Sequence, residues 1–140
     1  KGGYQYRYYQ QFLDATAMKN TDYGFMADGR SRKHPRRAVI GSRLLETLVQ
    51  LLVLDPVSEG GFRSHALSID ELMSKLRTRY GIIINGLNEP RFSDADVETH
   101  QAFAQNVSAF KNKLRQIGFF TDLSDAYLLQ RIRPRYKFQA

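Results

Sequence analysis

The apolar residues recur at helical spacing in three stretches of the chain. In the first, Arg43–Leu54, leucines at positions i, i+1, i+4, i+7 and i+8 predict one buried helix face, and Ser42 is expected to be its N-cap. These leucines are Leu44, Leu45, Leu48, Leu51 and Leu52. Asp55-Pro56 ends this helix, because the residue before a proline disfavours the helical conformation.

The second helix has the clearest local signals. Ser68-Ile69-Asp70-Glu71 matches a capping box, in which a Ser N-cap is followed three residues later by Glu. The pattern predicts a helix that continues to about Arg79 and stops at Gly81. Its inward residues are expected to be Ile69, Leu72, Met73 and Leu76.

The third helix is predicted from Ser93, as N-cap, to Ile117, with a possible break near Asn106. Acidic residues near its start suit the positive end of the helix dipole; they are Asp94, Asp96 and Glu98. One apolar face consists of Phe103, Val107, Phe110, Leu114 and Ile117. Gly118 is expected to end the helix.

Shorter elements complete the pattern. A helix around Tyr8–Met18 precedes residues 19–41, which look irregular, and His65–Leu67 suits a very short strand. The β-branched run Ile82–Ile84 is expected to be buried. After the third helix, a β-hairpin is predicted from Phe119–Leu123, a turn at Ser124-Asp125, and Ala126–Arg133.

The resulting order is helix, short strand, helix, helix, strand, turn, strand, which resembles the winged helix-turn-helix superfamily. The matching elements are Ser42–Leu54, Ser68–Arg79, Asn106–Ile117 and, as the wing, Phe119–Arg133. The segment Tyr80–Phe92 departs from the tighter turn that the family usually has between its second and third helices. The resemblance implies a mainly α fold with a small β-hairpin, in which a winged helix-turn-helix follows an N-terminal helix and a basic arm.

Three regions are predicted on this basis. They are an N-terminal helix and basic arm at 1–41, a winged-helix domain at 42–133, and a basic tail at 134–140. Because the chain begins with Lys1, we expect it to be a domain of a larger protein.

The net charge of +7 is unevenly distributed. Residues 1–41 contain eight Lys or Arg against three Asp, residues 42–130 nine against eleven acidic residues, and residues 131–140 four against none. Two basic regions therefore flank a nearly neutral body. This distribution favours an anionic partner such as nucleic acid, while the alternative is that the cations are solvated or meet acidic surfaces elsewhere.

The polar side of the third helix is the first candidate site. It carries Ser108, Asn112, Lys113, Arg115 and Gln116. Asn, Gln and Arg can bond to base edges and Lys to phosphates, and the resemblance implies that this helix enters the major groove. The alternative is an ordinary solvated helix face.

Two basic runs are the next candidates. In the C-terminal run, cations alternate with other residues, so an extended chain would present them to a phosphate backbone; they are Arg131, Arg133, Arg135 and Lys137. The alternative is that the segment is an amphipathic edge strand, in which the arginines only prevent aggregation with other chains. The second run contains a proline and no helical period, which favours an arm on phosphates or, alternatively, contact with an acidic partner; its cations are Arg30, Arg32, Lys33, Arg36 and Arg37.

An aromatic cluster near the start could stack on unpaired bases, but we expect it to pack the terminal helix onto the domain. It comprises Tyr4, Tyr6, Tyr8, Tyr9 and Phe12. No signal for catalysis is found. Cysteine is absent, His34, His65 and His100 lack metal-ligand spacing, and neither a phosphate-binding glycine loop nor a nucleophile motif is present, so we expect no cofactor and no metal.

The sequence therefore predicts a winged-helix module that binds nucleic acid, with double-stranded DNA as the expected partner. The alternative is a protein-protein docking or dimerisation module that contacts other domains of the parent protein or a separate protein. A third hypothesis is that this chain is the regulatory end of a large multidomain enzyme. No apolar run approaches the length of a membrane span, and a cytoplasmic or nucleoid-associated location, or a nuclear one in a eukaryote, is expected.

Overall fold

In the part of the chain that the structure describes, the fold contains four α-helices and three pairs of very short antiparallel strands. The structure is a computed structural model that describes residues 3–18, 22–28, 33–58, 60–119 and 131–138. The helices are α1 (Gly3–Ala17), α2 (Ser42–Leu52), α3 (Ile69–Tyr80) and α4 (Val97–Gln116). The strands are β1 (Met26–Ala27), β2 (Arg37–Ala38), β3 (Leu54–Pro56), β4 (Phe62–Ser64), β5 (Leu67–Ser68) and β6 (Arg131–Ile132).

The expected fold class, mainly helical with a small antiparallel strand pair, is confirmed, and the layout is consistent with a winged-helix-like arrangement. The chain divides into two compact units, Lys1–Leu48 and Val49–Ala140. This division falls inside α2. The predicted boundaries at 41/42 and 133/134 stay predictions.

In the first unit, short backbone contacts organise the segment before α2. β1 pairs with β2 in antiparallel register, so the prediction of an irregular segment at 19–41 missed this ladder. A Cβ at Gly41 would lie 2.3 Å from the carbonyl oxygen of Asp22, which makes glycine necessary at this close approach. The same carbonyl oxygen accepts hydrogen bonds from the amides of Arg43 and Leu44.

These bonds correct the predicted start of α2. Ser42 is the first residue of the helix rather than its N-cap, and the carbonyl of Asp22 satisfies the first amides instead. The helix also ends earlier than predicted, at Leu52. Its buried face consists of Leu45, Leu48, Val49 and Leu52, whereas Leu51 is 47% exposed and Leu44 is half-buried.

The aromatic cluster of α1 is not buried within the first unit, and its packing onto the second unit stays a prediction. Only Ala17 of α1 is buried. The exposed side chains include Tyr4, Tyr6, Tyr8, Tyr9 and Phe12.

In the second unit, a hairpin replaces the predicted end of the first helix. Leu54–Pro56 pairs with Phe62–Ser64. Gly60 and Gly61 lie in the turn with φ angles of 89° and 102°, which residues with a side chain rarely adopt. The predicted strand His65–Leu67 lies slightly later, at Leu67–Ser68, and pairs with Arg131–Ile132. Residues 120–130, which hold most of the predicted wing, lie outside the described residues.

Helix α3 begins and ends as predicted. The amide of Glu71 donates to Ser68 Oγ at 3.1 Å, and the amide of Ser68 donates to Glu71 Oε2 at 2.7 Å, which completes the capping box. Gly81 adopts the left-handed conformation with φ of 67° at the C-cap. Ile69, Leu72 and Leu76 are buried, and Met73 is half-buried.

Helix α4 begins later than predicted and runs unbroken for 20 residues, past Asn106. Its N-cap is Asp96, whose Oδ1 accepts from the amide of Thr99 at 2.8 Å. Ser93 instead closes a 3₁₀ turn over Pro90–Phe92. Phe103, Phe110 and Leu114 are buried as expected, whereas Val107 and Ile117 are half-buried.

The core of the second unit draws on every one of its long elements. Its fully buried large side chains are Leu52, Leu67, Leu72, Leu76, Leu114, Ile132 and Val49. Of the isoleucines at 82–84, only Ile84 is buried, and no strand forms there. Burial of Ile132 fixes β6 beside β5, so the basic C-terminal segment is anchored to the body of the unit.

Candidate nucleic-acid interface

Most of the residues predicted on the polar side of α4 are exposed to solvent. Ser108, Asn112, Arg115 and Gln116 are exposed, and Lys113 is half-buried. Arg115 Nη1 donates a hydrogen bond of 2.5 Å to Asn112 Oδ1, so the two side chains are already paired across one helical turn. The side-chain N–H groups of Asn112 can still donate to a ligand.

The C-terminal segment carries four exposed cations, Arg131, Arg133, Arg135 and Lys137. In an extended chain Ile132, Tyr136 and Phe138 would lie on the side opposite the cations. Ile132 is fully buried as this predicts, but Tyr136 and Phe138 are exposed. Strand β6 is only two residues long because Pro134, which has no N–H group, follows soon after it. The four cations therefore do not form one straight ribbon.

Arg135 joins the two predicted sets of residues. Its Nη2 donates to the carbonyl oxygen of Ile117 at 2.6 Å, and its guanidinium lies 4.5 Å from the centre of the Phe119 ring. Ile117 is the C-cap of α4. The last turn of α4, with Lys113 and Arg115, thus lies next to the C-terminal segment.

The predicted basic arm belongs to the first unit, and the structure describes three of its five cations. Lys33, Arg36 and Arg37 are exposed, while Arg30 and Arg32 lie outside the described residues. Arg36 Nη2 donates to Asp14 Oδ2 at 3.0 Å, and Arg36 Nε lies 3.5 Å from Asp28 Oδ1. The hydrogen bond with Asp14 raises the pKa of Arg36, and the guanidinium is thereby tied to α1.

A polar cluster that the sequence did not predict links the β3–β4 hairpin to α3. Asp55 Oδ1 lies 3.1 Å from Lys75 Nζ, and Asp55 Oδ2 lies 3.0 Å from His65 Nδ1. Lys75 Nζ also donates to the carbonyl oxygen of Leu52 at 3.1 Å. Burial raises the pKa of Asp55, but the hydrogen bond from Lys75 and the field of His65 outweigh it, so this pKa is lowered.

Arg63, an exposed cation in β4, is not among the residues predicted from the sequence. Arg63 and the C-terminal cations Arg133 and Lys137 line the same pocket. Arg63 lies near this segment because its neighbour Ser64 is hydrogen-bonded to Phe138, a long-range contact that nothing in the local sequence indicates.

Over residues 3–18, 22–28, 33–58, 60–119 and 131–138, no cluster of His, Asp and Glu side chains is positioned to hold a metal ion. Within the same described ranges, no helix has both the length and the apolarity needed to cross a bilayer.

Comparison with known protein families gives a match that covers nearly the whole chain. Residues 1–136 match the model of a protein family described as methylation-associated defense system protein MAD7. Searches of curated proteins and of solved structures found no match.

Proposed function

Since the chain belongs to the family of methylation-associated defense system protein MAD7, we propose that it contributes nucleic-acid binding, specifically to double-stranded DNA, within such a system. The family description names a defense system and states no activity. The proposal therefore depends on the residues and on their arrangement.

The observation that carries the proposal is the contact of Arg135 with Ile117, which brings the end of α4 and the cationic C-terminal segment together. Arg133 and Lys137 are exposed in that segment and have no ion pair or hydrogen-bond partner among the described residues, whereas Arg131, which is also exposed, interacts electrostatically with Glu71. Unpaired surface cations are suited to phosphates, because each such contact releases condensed counterions.

A winged-helix mode of binding would suit this arrangement. Apart from the β3–β4 hairpin and the 3₁₀ turn, the elements α2, β5, α3, α4 and β6 follow in the order expected of a winged helix, and β5 pairs with β6. In that mode α4 enters the major groove, where Asn112, Arg115 and Gln116 would face base edges. The C-terminal cations would contact the flanking backbone.

Fluorescence anisotropy tests the proposal. The chain is titrated into labelled duplex DNA, single-stranded DNA and RNA at 50 and 200 mM salt, with a methylated and an unmethylated version of the duplex. We expect tight duplex binding at the lower salt that weakens steeply at the higher salt. Failure to bind any of these ligands at 50 mM salt would refute nucleic-acid binding, and preference for RNA or single strands would refute the duplex assignment.

A protein-docking role is the second candidate, and the exposed aromatic side chains of α1 favour it. Tyr4, Tyr8 and Phe12 lie on one side of the helix at four-residue spacing and are each more than 60% exposed. Sedimentation velocity of the wild type and of a Tyr8→Ser, Phe12→Ser variant tests self-association. A dimer in the wild type that dissociates in the variant would support this role, and a monomer in both would contradict dimerisation.

A further inference from the structure

We propose that a pocket in the second unit binds the phosphate group of a nucleotide. The pocket has a volume of about 670 Å³ and lies between Arg63–Ala66 and Arg133–Phe138. This inference goes beyond duplex binding, since its ligand is a single nucleotide, either free in solution or at the end of a strand.

The pocket exists because two chain segments pair at both ends and separate in the middle. At one end Leu67 pairs with Ile132 in the β5–β6 ladder. At the other end the amide of Ser64 donates to the carbonyl oxygen of Phe138 at 3.1 Å, and the amide of Phe138 donates to Ser64 Oγ at 3.0 Å. Between these points, the two residues 65–66 face the five residues 133–137, so the longer segment must bulge outward.

The lining of the pocket is cationic. Arg63, Arg133 and Lys137 contribute positive charge, and none of the described lining residues is acidic. These three side chains have no ion pair or hydrogen bond with another described residue. Three unpaired cations around one cavity attract an anion, because their mutual repulsion is relieved when a negative group binds between them.

The nearest acidic residue in the ladder does not neutralise this charge. Asp55 lies opposite Arg63 in the β3–β4 pair. Its two carboxylate oxygens are occupied, however, by Lys75 at 3.1 Å and by His65 at 3.0 Å. The polar cluster thus holds the carboxylate and leaves the Arg63 guanidinium available to a ligand.

The chemistry of the lining favours a phosphate with a nucleoside attached. A guanidinium group can donate two parallel hydrogen bonds to phosphate oxygens, and the Lys137 ammonium adds a point charge. A cavity of about 670 Å³ falls in the range of small-molecule sites and is larger than a bare phosphate requires. The ring of Phe138, which is half exposed and lines the pocket, provides a face on which a base can stack.

Isothermal titration calorimetry at low salt tests the pocket with adenosine 5′-monophosphate, adenosine and inorganic phosphate as the probes. We expect the nucleotide to bind, phosphate to bind more weakly, and adenosine not to bind. Arg63→Gln and Lys137→Gln should each weaken nucleotide binding about tenfold, because each removes a charge-assisted contact. Arg91→Gln, an exposed cation outside the pocket, is the matched control and should change nothing.

Competition then identifies the source of the phosphate. If a short single strand with a 5′-phosphate displaces the nucleotide and the same strand with a 5′-hydroxyl does not, the pocket binds strand ends; if neither displaces it, the ligand is a free nucleotide. No nucleotide binding at millimolar concentration, equal binding of adenosine, or equal losses in Arg91→Gln would overturn the proposal. The calorimetry uses a mononucleotide and the anisotropy experiment uses a duplex. The pocket can therefore bind nucleotide even if the chain does not bind duplex DNA, and the two proposals can fail separately.

Discussion

Arg135 Nη2 donates a hydrogen bond of 2.6 Å to the carbonyl oxygen of Ile117, the residue that caps the C-terminal end of α4. A cation at this end of a helix satisfies a backbone carbonyl and opposes the negative end of the helix dipole. Arg135 therefore differs from its neighbours Arg133 and Lys137, which make no such contact with the described residues. Among the cations of this segment, Arg135 has a structural role.

Replacement of Arg135 should therefore destabilise the fold. Arg135→Ala loses the bond to Ile117 and the contact with the Phe119 ring, and we expect the free energy of unfolding to fall by about 1–2 kcal/mol. Urea denaturation followed by circular dichroism measures this change. Arg133→Ala is the control and should stay within about 0.5 kcal/mol of the wild type. If both variants had the same stability, the contact with Ile117 would contribute nothing.

Loss of Arg131 and Arg133 should instead affect ligand binding. If about five phosphates are neutralised, the slope of log K against log salt is about −4.5, and the double variant Arg131→Ala, Arg133→Ala should reduce it by up to about 1.8. Affinity should fall for all sequences alike. Anisotropy titrations over a series of salt concentrations measure the slope. The double variant Arg7→Ala, Arg43→Ala removes the same charge elsewhere, and an equal change in slope there would contradict a specific phosphate contact.

The polar side of α4 should determine sequence preference. Asn112→Ala with Arg115→Ala removes two side chains that can bond to base edges, so the ranking of duplex sequences should flatten by about 1–3 kcal/mol per lost base contact. Competition titrations with a panel of duplexes measure the ranking. Asn106→Ala, an exposed residue on a different side of the same helix, is the control. A ranking that the first variant leaves unchanged would show that α4 does not read bases.

The two neighbouring leucines of α2 should respond very differently to truncation. Leu52 is fully buried, so Leu52→Ala should cost about 2–5 kcal/mol of unfolding free energy. Leu51 is 47% exposed, and Leu51→Ala should cost less than about 1 kcal/mol. Denaturant unfolding of both variants checks the burial order, and equal losses would contradict it.

Leu51 and Leu52 also show how far the hydrophobic pattern of the sequence can predict which residues are buried. The leucines of α2 are so numerous that the helical period allows more than one face to be the buried one. Only packing in the fold determines that the buried face contains Val49 and Leu52. The start and end of α3 were predicted correctly, since the Ser68–Glu71 capping box and the left-handed Gly81 depend on residues within one turn.

The misplaced elements depend on contacts between distant residues. The residues next to Leu54 predict a helical conformation for it, but its backbone pairs with that of Ser64 across a glycine turn. Ser93 is a good cap by composition, yet the turn at Pro90 uses its amide, and Asp96 takes the cap position. The candidate cations were found from charge alone, whereas the contact of Arg135 with α4 and the pocket around Arg63 require the fold.

Asp96 should make stability dependent on pH in the acidic range. Hydrogen bonds from Thr99, from its side chain and its backbone, lower the pKa of Asp96 in the folded protein. A lowered pKa means that the charged cap stabilises the fold above the ordinary Asp pKa of about 4, and that this contribution is lost as pH falls through the lower value. Asp96→Asn retains a capping oxygen without the charge.

We therefore expect the wild type to exceed Asp96→Asn in stability at pH 6, and the difference to stay constant down to about pH 4 and to shrink below it. Thermal melts across this range measure the difference. Ser93→Ala should run parallel to the wild type at every pH, because Ser93 does not cap α4. A constant difference between the wild type and Asp96→Asn would contradict the ionised cap.

The pairing of β5 with β6 also affects how the chain is made. Ser68 and Arg131 are direct partners in that ladder, although the whole of α3 and α4 lies between them. At about 5–20 residues per second, a ribosome needs ~3–12 s to synthesise the intervening chain. During that time Leu67, fully buried in the finished fold, has no strand to cover it. The second unit is therefore expected to finish folding only after the basic C-terminal segment has emerged, and translation that stalls before Arg131 would expose an apolar strand edge to chaperones and proteases.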